Sequence, residues 1–360
     1  MYIKSLEIAD YRNYARARVD FCEGLNVLLG GNAQGKTNLL EAVCLSSVGR
    51  SPRTPRDKEL INWRASRAKV KIEVQKRAGS ETVELIIDRT QNKSVLVNGM
   101  PISRMGELMG VLSSVFFLPD EIKIVGGGPG ERRAFMDIAL CQMSRSYFYL
   151  LQRYNKTLSQ RNRLLKSGGF TADALDVWDA QLVDSGAKII KTRKGYLERL
   201  GGYAAKNHEF LTGGAETLDL TYEGVGGAEL SEIAEAFAAD LKRGRERDIA
   251  LGYTHPGPQK DDVCIKIGQT DARSYGSQGQ KRTAALAVKL AELDLNAAEK
   301  DDMPVLLLDD VLSELDVPRR QKLLQRTAGV QTVLTCTHID DSFKDLSGYK
   351  IFSVSGGRVE

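Results

Sequence analysis

Gly30-Gly31-Asn32-Ala33-Gln34-Gly35-Lys36-Thr37 interrupts an otherwise apolar stretch of the chain. Before it runs Leu25-Asn26-Val27-Leu28-Leu29, which reads as a buried strand, and after it Asn38-Leu39-Leu40-Glu41-Ala42-Val43 reads as the start of a helix. The octet fits G-x-x-x-x-G-K-[ST], and the strand–loop–helix context separates a phosphate loop from a chance pair of glycines. Glycines let backbone N–H groups turn inward onto phosphate oxygens. Residues 30–37 would then cradle a nucleoside triphosphate, with Lys36 reaching the β- and γ-phosphates and the Thr37 hydroxyl meeting Mg²⁺. The expectation is a nucleotide triphosphatase or a nucleotide-gated switch.

At 360 residues the chain has room for two or three domains, or for one core with a large insertion. Its 42% hydrophobic and 27% charged content is that of a globular protein, and a net charge of +4 does not by itself argue for nucleic acid. Cys22, Cys44, Cys141, Cys264 and Cys336 are scattered and form no C-x-x-C pair, which argues for reduced thiols and against a disulfide or zinc framework. Met1 leads straight into the strand-like Tyr2-Ile3-Lys4-Ser5-Leu6-Glu7-Ile8. No apolar run approaches the roughly 18 residues of a membrane span. The expected location is the cytoplasm.

Period-two runs at 69–74 and 82–87, and Val95-Leu96-Val97 before the turn pair Asn98-Gly99, read as strands. From about 130 the character becomes helical. Arg132 to Leu165 reads as one helix, followed after the Gly168-Gly169 break by stretches at about 172–211 and 228–243. Strand character returns at 263–267, then a helix over about 279–298 and strands at 305–308 and 332–334. The outline is an α/β core split by a helical insertion: 1–118, an inserted lobe over 119–245, and 246–360.

Two further motifs fall in the last part. Pro304-Val305-Leu306-Leu307-Leu308-Asp309-Asp310 is an apolar strand ending in two carboxylates, at the sheet edge where α/β folds place chemistry. Asp309 is the candidate Mg²⁺ ligand beside Thr37, and Asp310 the candidate for orienting or deprotonating the attacking water. Ser277-Gln278-Gly279-Gln280 opens a helix; a serine, a glycine and unpaired N–H groups there can receive an anion, although Ser277 is equally a good helix cap.

The order of phosphate loop, S-x-G-Q and acidic strand end resembles the head of the ABC-type P-loop ATPases, whose signature is S-G-G-Q. That resemblance implies ATP as the nucleotide and two heads closing face to face. Ser277, Gly279 and Gln280 would then cap the nucleotide held by the partner's phosphate loop. Ser313-Glu314-Leu315-Asp316 fits the family's S-x-L-D loop, and a switch residue would fall at His338, a catalytic candidate beside Asp310 and Lys36. Within that superfamily three runs resemble the RecF family. They are Pro119-Asp120-Glu121, Ile124-Val125-Gly126-Gly127-Gly128-Pro129 and Arg132-Arg133-Ala134-Phe135-Met136-Asp137. Tyr11-Arg12-Asn13-Tyr14 is similar to its F-R-N-Y, and Arg50 to Ile61 to its basic loop. Gly257-Pro258-Gln259-Lys260-Asp261-Asp262 departs from the family's G-P-H-R-D-D, and no Gln stands at 115–121 to serve as the ABC-type Q-loop residue.

The insertion is rich in Arg and Lys, which suits a phosphate backbone read through counterion release. Arg153, Lys156, Arg161 and Arg163 are the candidate DNA contacts there, with Arg50, Arg53 and Arg56 next in line. The breaks at Gly168-Gly169, Gly201-Gly202 and Gly213-Gly214, and the lack of a sustained heptad, exclude a long coiled-coil arm; a helix of some 35 residues spans only about 50 Å. The RecF resemblance implies an ATP-dependent homodimer on double-stranded and junction DNA, working with RecO and RecR in gap repair, replication and the SOS response. The alternative is the nucleotide-binding subunit of a membrane transporter.

Overall fold

The computed structural model describes residues 1–168, 172–300, 302–343 and 348–360. The chain separates into two compact units, Met1–Glu121 with Lys206–Ala215 and Leu286–Glu360, and Ile122–Ala205 with Glu216–Ala285. The expected lobe boundaries at 119 and 245 differ from this division, since 246–285 falls with the second unit. Local pairing explains the difference. The strand Asp262–Ile267 lies antiparallel to Leu218–Glu223, and Arg132 holds Asp262 through Nε at 2.6 Å and Nη2 at 2.9 Å.

The first unit holds two six-stranded sheets. One is antiparallel and runs Tyr14–Asp20, Tyr2–Tyr11, Arg67–Lys76, Gly79–Asp88, Ser94–Val97, Met100–Pro101. The other has the order Arg358–Val359, Lys350–Ser355, Leu25–Leu29, Thr332–Cys336, Val305–Asp309, Ser114–Phe117, and is parallel except at its first pair. Val305, Leu306, Leu307 and Leu308 are all buried, as continuous apolar runs are in sheets covered on both faces. At about 1.5–3 kcal/mol per buried side chain they anchor a strand whose last residue, Asp309, is a buried carboxylate costing several kcal/mol to desolvate.

In the second unit the single helix expected over 132–165 is two, Pro129–Met143 and Arg145–Ser167. Ser144 adopts an extended conformation (φ −142°), and its Oγ accepts from Tyr147 N at 3.2 Å, so it ends one helix and caps the next. Gly201-Gly202, expected as a break, lies inside the 41-residue helix Ala172–Thr212, which stops at Gly213 and Gly214, both with positive φ. Of the expected break at 168–169, Gly168 follows the preceding helix and Gly169 lies outside the described residues. Glycine serves packing at Gly186, where a Cβ would stand 2.5 Å from the Phe237 ring. The third helix, Leu230–Leu251, runs past the expected end at 243 to a cap at Gly252. No disulfide joins any of the five cysteines, and among the described residues no helix is long and apolar enough to cross a membrane.

Candidate nucleotide site

Register in the parallel sheet brings the phosphate loop and the acidic strand end together. Thr335 pairs with Leu28 on one side and with Asp309 on the other, so Leu29 and Asp309 finish at one sheet edge. Two glycines of the loop are demanded by its path. A Cβ on Gly30 would stand 2.2 Å from Val354 O, and Gly35 has φ +120° with the Tyr14 hydroxyl 2.7 Å from any added Cβ. Ala33 takes a left-handed conformation without being glycine (φ 62°). The helix Lys36–Val48 follows at once, with its first N–H groups directed at the loop.

Lys36 Nζ donates to the carbonyls of Gly30 at 2.6 Å and Gly31 at 2.7 Å, folding the ammonium over the cradle. Thr37 Oγ1 donates to Asp309 Oδ1 at 3.0 Å, and Thr335 Oγ1 donates to the same oxygen at 2.7 Å. Burial pushes the Asp309 carboxyl above the usual carboxylate range, while the two threonine hydroxyls pull the other way. A divalent cation at this point would favour the ionised form. The donor set fits a hard ion: a hydroxyl and a carboxylate oxygen converge at the start of the helix Lys36–Val48. Among the described residues no group of three or more His, Cys, Asp or Glu could hold a metal ion. Asp310 takes a left-handed backbone (φ 52°), its N–H donating to Thr335 Oγ1 at 2.9 Å, and lines the cavity with Asp309.

That cavity, about 390 Å³, is bounded by residues 32–38, Arg53, Asp309, Asp310 and Thr335. Arg53, expected among the DNA contacts, is exposed and also lines this cavity. Its Nη1 donates to Asn38 Oδ1 at 2.9 Å and stands 3.6 Å from the buried carboxylate of Glu41. Glu41 also accepts from Arg12 Nε at 2.8 Å and Nη2 at 2.6 Å, and from Ser51 Oγ at 2.6 Å. The sequence signal for Glu41 was available, since a carboxylate on an apolar helix must find cationic partners. His338 stands exposed beyond the strand Thr332–Cys336, its Nδ1 3.1 Å from Thr337 Oγ1, and does not line the cavity.

The S-x-G-Q residues lie in the second unit. Ser277 Oγ accepts from Gln280 N at 3.2 Å while Gln280 Oε1 accepts from Ser277 N at 2.8 Å, a reciprocal capping box. Ser277 and Gly279 remain exposed, and a Cβ at Gly279 would meet nothing within 4 Å. Of the basic candidates, Arg161 is corrected. It is fully buried and bonded to Asp179 at 2.6 Å and Asp248 at 2.8 Å, so it cannot reach a phosphate backbone. Arg132 and Arg193 are likewise buried, the latter on Asp137 at 2.8 Å. Lys156, Arg163, Arg50 and Arg56 are exposed, as is Arg153 in a screened pair with Asp184 at 3.3 Å.

The family model described as "RecF/RecN/SMC N terminal domain" matches residues 2–354. The protein is 40% identical over 365 residues to the DNA replication and repair protein RecF of Lachnoclostridium phytofermentans, covering 100% of this chain and 99% of that one. It is 41% identical to that of Clostridium tetani over 362 residues, with 99% of each covered. A solved structure of "the recombination mediator protein RecF-ATP in RecFOR pathway" superposes with a TM-score of 0.93 at 37% identity, covering 100% of this chain and 97% of that one. An SMC head bound to the C-terminal winged-helix domain of ScpA shares the fold at a TM-score of 0.59 and 16% identity. The transporter alternative is not favoured by these matches. The chain belongs to the RecF family of P-loop ATPases.

Proposed function

We propose that the protein is an ATP-dependent DNA-binding ATPase of recombinational repair and replication. The observation that carries this reading is the Thr37–Asp309 hydrogen bond of 3.0 Å, which joins the phosphate loop to the acidic strand end beneath one cavity. Residues 30–37 cradle the triphosphate of ATP, with Lys36 and Arg53 supplying charge to its outer phosphates. Thr37 and Asp309 would hold Mg²⁺, which would supply positive charge to offset that of the phosphates. Asp310 orients water for attack on the γ-phosphate. Ser277, Gly279 and Gln280 complete the site of a second copy, so ATP acts as the link between two heads on DNA. The RecFOR pathway named for the solved RecF structure supports a place beside RecO and RecR. The role at gaps and junctions rests on the family resemblance.

Ser277→Arg tests the two-headed part of this reading. A long cation fills the interface and cannot reproduce a short hydroxyl contact. ATP affinity on dilute protein should stay at the wild-type value, while ATP-dependent doubling of mass by light scattering and ATP hydrolysis are both lost. Dimers forming as readily as in the wild type would leave Ser277 as a helix cap alone.

For DNA, the corrected set in the second unit is Arg153, Lys156 and Arg163. Changing all three to Gln should weaken duplex binding for all sequences alike, and the slope of log K against log salt should shallow by roughly one unit per lost phosphate contact. Unchanged affinity and slope would move the duplex contacts to Arg50 and Arg56.

A further inference from the structure

Trp63 is 95% exposed, the most exposed large apolar side chain among the described residues. An indole in water is common on a loose loop, but this one is carried by a fixed turn. Ile61 bridges to Tyr11, Asn62 N donates to Asp10 O at 2.8 Å, and Asn62 Nδ2 donates to Arg12 O at 2.9 Å. From the other side Arg89 donates through Nε to Ala65 O at 3.0 Å and through Nη2 to Asn62 O at 3.4 Å, bracketing Trp63 between its two bonds. The backbone on both sides of the tryptophan is thus held while its ring touches solvent.

The ring borders a cavity of about 810 Å³ whose cationic lining includes Arg56, Lys58, Arg89 and Lys93. The acids on the same lining are engaged. Asp57 holds Lys93 at 2.7 Å, Glu59 accepts from Thr54 Oγ1 at 2.6 Å, and Asp88 accepts from Thr90 N and Oγ1 at 2.8 and 2.7 Å. Among the described residues neither Lys58 nor Arg89 is in an ion pair. A rigid aromatic face beside uncompensated cations matches a base with its phosphate, because stacking serves any base and the cations follow the backbone.

We propose that Trp63 stacks on an unpaired base of a single-stranded nucleic acid whose phosphates run along Lys58 and Arg89. The inference rests on the reading of the protein as DNA-binding and adds a contact that duplex DNA does not use. The test uses the full chain carrying Trp178→Phe, which leaves Trp63 as its one indole. A short oligothymidylate should quench Trp63 emission, and free thymidine monophosphate at the same nucleotide concentration should not. Trp63→Ala should weaken oligothymidylate binding by roughly 5- to 150-fold, with an unchanged salt slope and with recovery in Trp63→Phe. Lys58→Gln should instead shallow that slope by about 0.7. Both variants should bind ATP and blunt duplex as the wild type does. Unquenched emission at saturating oligonucleotide, or wild-type affinity in Trp63→Ala, overturns the proposal. Equal quenching by the mononucleotide also overturns it, in favour of a free-nucleotide pocket. A wild-type protein that binds neither ATP nor duplex would overturn the broader reading instead.

Discussion

Lys36→Ala is expected to abolish tight ATP binding while leaving the fold in place. In the proposed reading the ammonium meets the outer phosphates, and it is held over the loop by Gly30 O at 2.6 Å and Gly31 O at 2.7 Å. A charge-assisted hydrogen bond is worth about 1.5–3 kcal/mol, so losing two to phosphate oxygens weakens binding by about 3 kcal/mol or more, beyond a hundredfold. The fold has little to lose, because the loop path is set by Gly30 against Val354 and by Gly35 against Tyr14. Calorimetric titration with MgATP beside circular dichroism checks both halves. Nucleotide affinity within twofold of the wild type would sink the phosphate-loop assignment.

The phosphate loop was legible because fixed spacing between an apolar run and a helix leaves few alternatives. Val305–Asp309 was legible for a similar reason, as a continuous apolar run ending in charge. Its neighbour Ser114–Phe117 was not, although all four of its residues are buried, since so short a run, apolar only from Val115 on, does not distinguish strand from helix. The strands Leu218–Glu223 and Lys350–Ser355 are short, but they alternate as strands do and glycine pairs flank them, Gly213-Gly214 before the first and Gly356-Gly357 after the second, so their signal was available.

Charge was the harder quantity to read. A sequence counts cations and does not show which acids answer them. Arg132 is answered by Asp262, 130 residues away, and Arg193 by Asp137, 56 residues away. Arg132-Arg133, in a run that carried the family resemblance, and Asp261-Asp262, at the end of the run that departs from it, are therefore partners in a partly buried network. Arg133 Nη1 donates to Asp261 O at 2.6 Å, and burial holds the Asp261 carboxyl above its ordinary range. Gln259, at the first of the two positions that depart from the family pattern, accepts from the Tyr154 hydroxyl and donates to Pro256 O at 2.8 Å, so that departure is absorbed locally.

Arg161 turns that lesson into the largest expected stability effect. Its guanidinium has no exposed surface and donates to Asp179 Oδ1 at 2.6 Å, Asp248 Oδ2 at 2.8 Å and Thr254 Oγ1 at 2.9 Å. Asp248 is also fully buried and accepts from His255 N at 2.9 Å, so the arginine joins the helices Arg145–Ser167, Ala172–Thr212 and Leu230–Leu251 to the 254–255 loop. Arg161→Met keeps much of the volume but leaves Asp248 buried without its cation. Removing one partner of a buried ion pair costs about 3–5 kcal/mol, far more than an exposed phosphate-binding arginine would cost the fold. Trp178 lies beside Asp179, so a Trp63→Phe background makes its fluorescence the reporter of this unit. The urea midpoint should fall by about 1 M or more. Arg161→Lys should fall between, because an ammonium keeps the charge and loses the fork that reaches both aspartates. In Arg161→Met the salt slope of DNA binding should match the wild type, where loss of a true phosphate contact at this position would shallow it by about one. An unmoved midpoint in Arg161→Met would refute the buried-clamp assignment and return Arg161 to the DNA-contact set.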